Sequence, residues 1–260
     1  MHTKFYKYHG TGNDFIIIDN RDLHFDSKNQ NMIAKMCHRR FGIGADGLIL
    51  LENDIDTDFK MVYFNADGKE STMCGNGGRC IVAFAKKIEI ITNKTSFIAI
   101  DGLHHAEIND NFEVNLQMKN VDEIENIDND FVLDTGSPHY VKFVEKLPIE
   151  FVEEAKTIRN NSRFKNEGIN VNFIEKITDN KVNIRTFERG VEDETYACGT
   201  GCVAAALSLM KLKNNEQKIH LITKGGNISV SANKYNSGFE NIWLFGPTKF
   251  VFEANYNSKI

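Results

Sequence analysis

The chain has 260 residues, 41% hydrophobic and 10% aromatic, with 31 basic against 36 acidic side chains and a formal charge of −5. That length suits one large domain or two of ordinary size with a real core. No basic tract of the kind that neutralises phosphates is present, which argues against nucleic acid as a partner. The opening MHTKFYKYHGTGNDF has no apolar stretch behind its lysines, so no secretory signal is expected. The longest apolar runs, such as VAAALSLM at 203–210, are too short to cross a bilayer, so no membrane association and a cytoplasmic location are expected. Five cysteines, an odd number, point to free thiols rather than a disulfide framework.

Strand-like runs open the chain at 4–9, 14–19, 48–52, 59–64 and 96–100. Between the second and third lies SKNQNMIAKMCHRR, whose helical spacing places Met32, Ile33, Met36 and Cys37 on one face behind an expected cap at Ser27. A second helix is predicted for GNGGRCIVAFAKKI, directly after Cys74. AEIN, FEVNLQM, FVLDT and HYVKFV then read as strands, and EFVEEAKTIRN after Pro148 as a helix burying Phe151, Val152, Ala155 and Ile158. NVNFIEKI and KVNIRTF precede a fourth helix, GTGCVAAALSLMKLK, directly after Cys198. It is apolar nearly all round, as a buried helix is, for instance one inside a barrel of strands. KIHLIT, NISVSA, NIWLF and KFVFEA close the chain as strands. Turn signals at Asp110-Asn111, Asp179-Asn180 and Gly225-Gly226 suit antiparallel hairpins. His104-His105 is expected in a hairpin turn, as solvated histidines.

Many strands with a few segregated helices indicate an α+β architecture. The two most apolar helices start 124 residues apart, close to half the chain, and each half repeats strands, a Cys-Gly-x-Gly turn, an apolar helix and more strands. Two structurally similar domains are expected, with a boundary in the polar stretch from Lys119 to Glu125.

The repeated turn carries the chemistry. A cysteine just before a helix lies against unpaired backbone N–H groups and the positive end of the helix dipole, both of which stabilise a thiolate. The glycines let the backbone approach a ligand, so the same N–H groups can hold a carboxylate. Two such cysteines facing one another would form a symmetrical acid–base pair: one thiolate removes a proton from one face of a carbon and the opposing thiol protonates the other. N–H donors aimed at an α-carboxylate would stabilise the carbanion-like transition state without a cofactor acting as electron sink.

HGTGNDFIIID (9–19), FGIGADGLILL (41–51), FNADGKESTMCGNGGRC (64–80), GSPHYV (136–141), NVNF (170–173), ERG (188–190) and ACGTG (197–201) resemble, in order, the signature blocks of the diaminopimelate epimerases. CGNGGRC paired with ERG and ACGTG is similar to this branch of a wider fold superfamily that includes the proline racemases. The resemblance implies two pseudo-symmetric domains, residues 1–118 plus 248–260 and residues 119–247. Each would be a mostly antiparallel β-barrel around a central helix, with the C-terminal strand near Lys249 to Ala254 returning to the first. It implies a cofactor-independent isomerase that converts L,L-diaminopimelate to the meso form, in lysine and peptidoglycan precursor synthesis, with that small molecule as partner; a homodimer stays open.

By the same resemblance Cys74 and Cys198 are the acid–base thiols, and the backbone amides of Gly75, Asn76, Gly199 and Thr200 hold the reacting carboxylate. Asn13, Asn65, Asn170, Glu188 and Arg189 recognise the amines and the distal carboxylate, and Glu188 is counted with the catalytic groups. An arginine suits a bidentate grip on a carboxylate. His139 stands where the family places a histidine near the thiols, to help deprotonate one; a purely structural histidine is the alternative. Gly47 lies where some members carry glutamine, Ser137 where asparagine is common, and the GVEDET loop is one residue longer than usual.

GIGADG (42–47) fits a dinucleotide fingerprint, but it follows a helix and opens a strand, the reverse of the required order. Neither Cys74/Cys80 nor Cys198/Cys202 has zinc-knuckle spacing, so no metal is expected; Cys37, Cys80 and Cys202 read as core. The competing functions are a racemase for another amino acid, of the proline or histidine type, and a non-catalytic metal or redox thiol protein.

Overall fold

The computed structural model describes residues 2–213 and 217–257. The chain divides into two compact units, residues 1–116 with 247–260, and residues 117–246.

In the first unit, β1 (His2–Gly10) and β2 (Asn13–Asp19) form a hairpin around Thr11-Gly12, both at positive φ, as a tight two-residue turn requires. Next come α1 (Gln30–Cys37), β3 (Gly47–Glu52) parallel to β2, and β4 (Phe59–Asn65) antiparallel to β3. The near-continuous apolar runs of β2 and β3 are what a parallel pair buried on both faces needs. After α2 (Gly75–Lys87) follow β5 (Lys94–Ala99) parallel to β4, β6 (Gly102–Ile108) and β7 (Glu113–Gln117). Helix α2 packs against β1, β2, β3 and β6 and is buried from Gly75 to Ala85.

The second unit holds β8 (Glu125–Ile127), β9 (Asp130–Asp134), β10 (Pro138–Val144), α3 (Phe151–Arg159), β11 (Asn170–Thr178) and β12 (Lys181–Glu188). It continues through β13 (Asp193–Thr195), α4 (Gly199–Lys213), β14 (Lys218–Thr223), β15 (Gly226–Tyr235) and β16 (Gly238–Pro247). β10 is parallel to β11 and β12 to β14, while β9–β10, β11–β12, β14–β15 and β15–β16 are antiparallel. This is the order of pairings of the first unit, with α3 in the place of α1 and α4 in that of α2. The last strand, β17 (Lys249–Asn257), pairs antiparallel with β1 in the first unit. The strands are therefore a mixed arrangement, mostly antiparallel, with few helices.

Helix α4 packs against β9, β10, β11, β12, β14 and β15, which explains why no side of it is polar. Phe151, Val152, Ala155 and Ile158 of α3 pack with Phe173 and Phe187, as their spacing predicts. Two local expectations are corrected. Helix α1 starts later than expected, and its cap is Asn29, not Ser27: the Asn29 carboxamide oxygen accepts the Met32 N–H at 3.0 Å, after a turn closed on Asp26. His104 and His105 lie within β6 rather than in a turn, and His104 is largely covered, stacked on Phe97 with its ring 3.2 Å from the Asp101 carboxylate.

Candidate active site

Cys74 is the last residue before α2, in extended backbone, and its carbonyl accepts the Gly78 N–H at 2.7 Å. Its side chain does not cap the helix, so the thiol is left to face Asn13, whose Oδ1 accepts from Sγ at 3.6 Å. Asn13 is placed there by the Thr11-Gly12 turn at the head of β2. Its Oδ1 also accepts from Asn76 Nδ2 at 3.1 Å, and its Nδ2 donates to Asp46 at 2.7 Å. Asn76 in turn accepts from the Arg79 guanidinium at 2.8 Å. Behind this row, Arg39 joins Asp46 and Asp14, and Lys7 joins Asp14 at 2.7 Å and the Gly44 carbonyl. Burial works against the Asp14 carboxylate, but its bonds to Arg39 and Lys7 outweigh that and hold it at about 2.

Asn65 ends β4 opposite Gly47, at the same end of the strands as Asn13. Its side chain is exposed and makes no hydrogen bond among the described residues. At Gly47 a Cβ would lie 2.5 Å from the Tyr63 ring, so Tyr63 occupies the space into which a longer residue would grow.

Cys198 stands in the same relation to α4, its carbonyl accepting the Cys202 N–H at 2.9 Å. Here the sulfur is surrounded by donors: the Gly201 N–H at 3.4 Å and the Thr200 hydroxyl at 3.3 Å. Burial pushes the Cys198 thiol well up and the Glu188 carboxylate reinforces that, while the Thr200 and Gly201 hydrogen bonds oppose it.

His139 is fully buried, one hydrogen bond behind Thr200, with Nε2 3.0 Å from the Thr200 hydroxyl. Its tautomer follows from its neighbour. Asn172 Nδ2 donates to the Tyr140 carbonyl at 3.1 Å and lies 3.0 Å from His139 Nδ1, so Nδ1 accepts and Nε2 carries the proton. Burial, helped by the Arg189 charge, lowers the His139 pKa to about 3. The ring is thus a neutral donor to Thr200, which leaves the Thr200 hydrogen for the sulfur.

Asn170 opens β11 beside His139, and its Nδ2 donates to Ser137 Oγ at 2.9 Å and the Pro138 carbonyl at 3.0 Å. Its Oδ1 accepts the Arg189 N–H at 2.8 Å, and the exposed Arg189 guanidinium reaches Ser137 Oγ at 3.3 Å. Ser137 therefore links Asn170 to Arg189. Glu188, half-buried, ends β12 beside it.

The model of the diaminopimelate epimerase family matches residues 5–124 and 131–251, taking in both cysteine turns. The chain belongs to the diaminopimelate epimerase family. The diaminopimelate epimerase of Flavobacterium psychrophilum is 56% identical over 96% of this chain and 99% of its own, and that of Chlorobaculum tepidum 43% identical over 94% and 98%. Among solved structures, a PhzF-family phenazine biosynthesis protein of Bacillus anthracis superposes with a TM-score of 0.77 at 14% identity, over 99% of both chains. A hydroxyproline epimerase of Agrobacterium vitis gives 0.71 at 14% identity, over 98% of this chain and 91% of its own. At such identities the likeness shows the fold, which this diaminopimelate epimerase family member shares with them.

Within this member of the family, the first unit gathers Cys74, Asn13 and Asn76 with the helix start at Gly75. The second gathers Cys198, Thr200, His139, Asn170 and Arg189 with the start at Gly199. Sequence reasoning missed Asp46, Arg79 and Asn172. One signal was available: Asn172 follows Asn170 at the two-residue spacing that puts both on one strand face. Among the described residues no three His, Cys, Asp or Glu side chains gather as metal ligands, and no helix is long and apolar enough to cross a membrane.

Proposed function

We propose that this chain is an isomerase that interconverts L,L- and meso-diaminopimelate, a step of lysine synthesis, with Cys74 and Cys198 as a thiol–thiolate pair. Each unit is read as a barrel of strands closed around its buried helix, presenting one cysteine at the start of that helix. The observation that carries the mechanism is that repetition: a cysteine whose carbonyl closes the first turn of the helix after it, then a glycine-rich start with backbone N–H groups directed out of the helix end.

In the reaction the thiolate takes the α-proton from one face, and the opposing thiol gives its own proton to the other. The pair ends with thiol and thiolate exchanged and the carbon inverted. The N–H groups of Gly75, Asn76, Gly199 and Thr200 hold the α-carboxylate while negative charge builds on it. Asn13, Asn65, Asn170, Glu188 and Arg189 select a substrate with an amino-acid group at its far end. His139 acts on Cys198 through the Thr200 hydroxyl.

The test is turnover of L,L-diaminopimelate in deuterated water, without pyridoxal phosphate or metal. The expected product is the meso form with one solvent deuterium at the inverted carbon. Cys74→Ala and Cys198→Ala should each lower the rate by at least ~10³-fold, while Cys37→Ala, Cys80→Ala and Cys202→Ala stay active. Robust turnover in either of the first two would overturn the two-thiol reading. Exchange with proline or histidine but not with diaminopimelate would move the substrate and keep the thiols.

A further inference from the structure

The amide of Asn13 is held from both ends by groups that leave it one orientation. Arg79 is 0% exposed and sits in the early part of α2. A guanidinium only donates, so the Asn76 atom it meets at 2.8 Å is the carbonyl oxygen. The Asn76 amino group is then the donor that meets Asn13 at 3.1 Å, and the Asn13 atom receiving it is Oδ1. From the other side, the Asp46 carboxylate, which only accepts, meets Asn13 at 2.7 Å, so that atom is Nδ2. Asp46 is fixed by Arg39 at 2.7 Å and by the Asp14 N–H at 3.2 Å. Turning the Asn13 amide over would set donor against donor at one end and oxygen against oxygen at the other.

Arg79 also holds the turn that carries Asn13. Thr11, a β-branched residue at φ 50°, accepts a hydrogen bond from the guanidinium at 3.3 Å.

We infer that Arg79 and Asp46 are positioning residues for Cys74: between them they aim the Asn13 carbonyl at the sulfur and so keep this thiol protonated while substrate is absent. A carbonyl oxygen accepts from S–H and repels a thiolate. Around Cys198 the arrangement is reversed, an N–H and a hydroxyl lying against the sulfur. The inference deepens the two-thiol reading of the same site, but its test does not depend on turnover.

Among the described residues, the charged and titratable groups of the first unit around this thiol include Arg79 and Cys80 on α2, Asp14 on β2 with its partner Lys7 on β1, Asp46 and Arg39 from the segment before β3, and Asp101. Asp101, from the β5–β6 turn, accepts the Met73 N–H at 3.4 Å. Charge and orientation make opposite forecasts for Arg79. Removing its positive charge alone raises the thiol's midpoint; releasing the Asn13 amide lowers it.

The experiment follows the pH dependence of Cys74 alkylation by iodoacetamide in the full chain without substrate, with each cysteine read separately by peptide mass spectrometry. Asp46→Ala and Arg79→Met are expected to lower the Cys74 midpoint by about one pH unit, tenfold in thiolate fraction at a given pH. Arg79→Lys, which keeps a donor on Asn76, should stay near the parent protein. Asp101→Ala removes a nearby carboxylate with no tie to Asn13 and should shift less than Asp46→Ala. A midpoint that rises in Arg79→Met, or a shift in Asp101→Ala as large as in Asp46→Ala, would show charge rather than orientation and overturn the inference. Asp46 is partly exposed, so Asp46→Ala, which leaves Asn13 Nδ2 without its acceptor, decides the matter if Arg79→Met does not fold: an unmoved midpoint there overturns it.

Discussion

At the scale of single residues, Thr200 has the most exposed role to test. Its hydroxyl sits between the His139 Nε2 proton at 3.0 Å and the Cys198 sulfur at 3.3 Å, so it accepts from one and donates to the other. Thr200→Val keeps the shape and removes both bonds, leaving a buried His139 N–H without its acceptor. The loss of a donor to the thiolate should raise the acidic limb of the kcat/KM profile by about one pH unit and lower the rate about tenfold. Thr200→Ser should retain both values. A valine variant with an unchanged profile would mean that the hydroxyl does not serve the sulfur. The two cysteines stood out by their place before glycine-rich helix starts, whereas Asn13, Asn65, Asn170 and Arg189 were singled out only through the family resemblance. Asp46 and Arg79 were not singled out, because their meaning lies in bonds to Asn13 and Thr11, which are 33 and 68 residues distant in the chain.

At the scale of elements, the start of α4 is set by how closely it meets β11 and β12. A Cβ at Gly201 would lie 2.5 Å from Asn172 Oδ1, 3.2 Å from Thr186 Oγ1 and 3.3 Å from the Cys198 Cβ. Alanine is favoured over glycine in a helix by about 1 kcal/mol, yet forcing a methyl into that contact costs roughly 1–3 kcal/mol. Gly201→Ala is therefore expected to melt lower and to lose turnover beyond what its stability explains, since Asn172 holds His139 and must move. A variant as stable and as active as the parent would show that the contact can relax freely. The four helices were legible from apolar spacing and from the glycines after each cysteine, although the cap of α1 was misplaced, since Ser27 and Asn29 are both good caps and only the turn from Asp26 selects between them. Parallel pairings such as β2–β3 and β10–β11 were hidden. Turn signals mark strands joined by hairpins, whereas a parallel partner arrives only after a helix, and sequence spacing does not reveal which strand it joins.

At the scale of the whole molecule, the expectation of two similar halves rested on the 124-residue interval between the cysteines and on the Cys-Gly-x-Gly that both helix starts share. What charge does to the folded chain was not readable in the sequence, because it depends on which titratable groups are buried. His139 titrates near 6.5 when unfolded and at about 3 when folded, burial favouring its neutral form. The unfolded chain then binds the extra proton between those values, so this group's contribution is whole above pH ~6.5 and is lost as pH falls toward 3. Between pH 7 and pH 5 that amounts to about 2 kcal/mol. Asp14 acts in a lower window: its folded value of about 2 lies below the unfolded one near 3.9, so its contribution is lost only as pH falls through that range. Urea unfolding at pH 7 and pH 5 thus isolates the histidine when the parent is set against His139→Gln, which has no imidazole to protonate. The variant is expected to be less stable at pH 7 and to show a pH 7-to-5 loss smaller than the parent's by about 2 kcal/mol. Equal losses in the two proteins would mean that His139 takes up its proton in the folded state as readily as in the unfolded, and a neutral ring donating to Thr200 would then be untenable below pH 6.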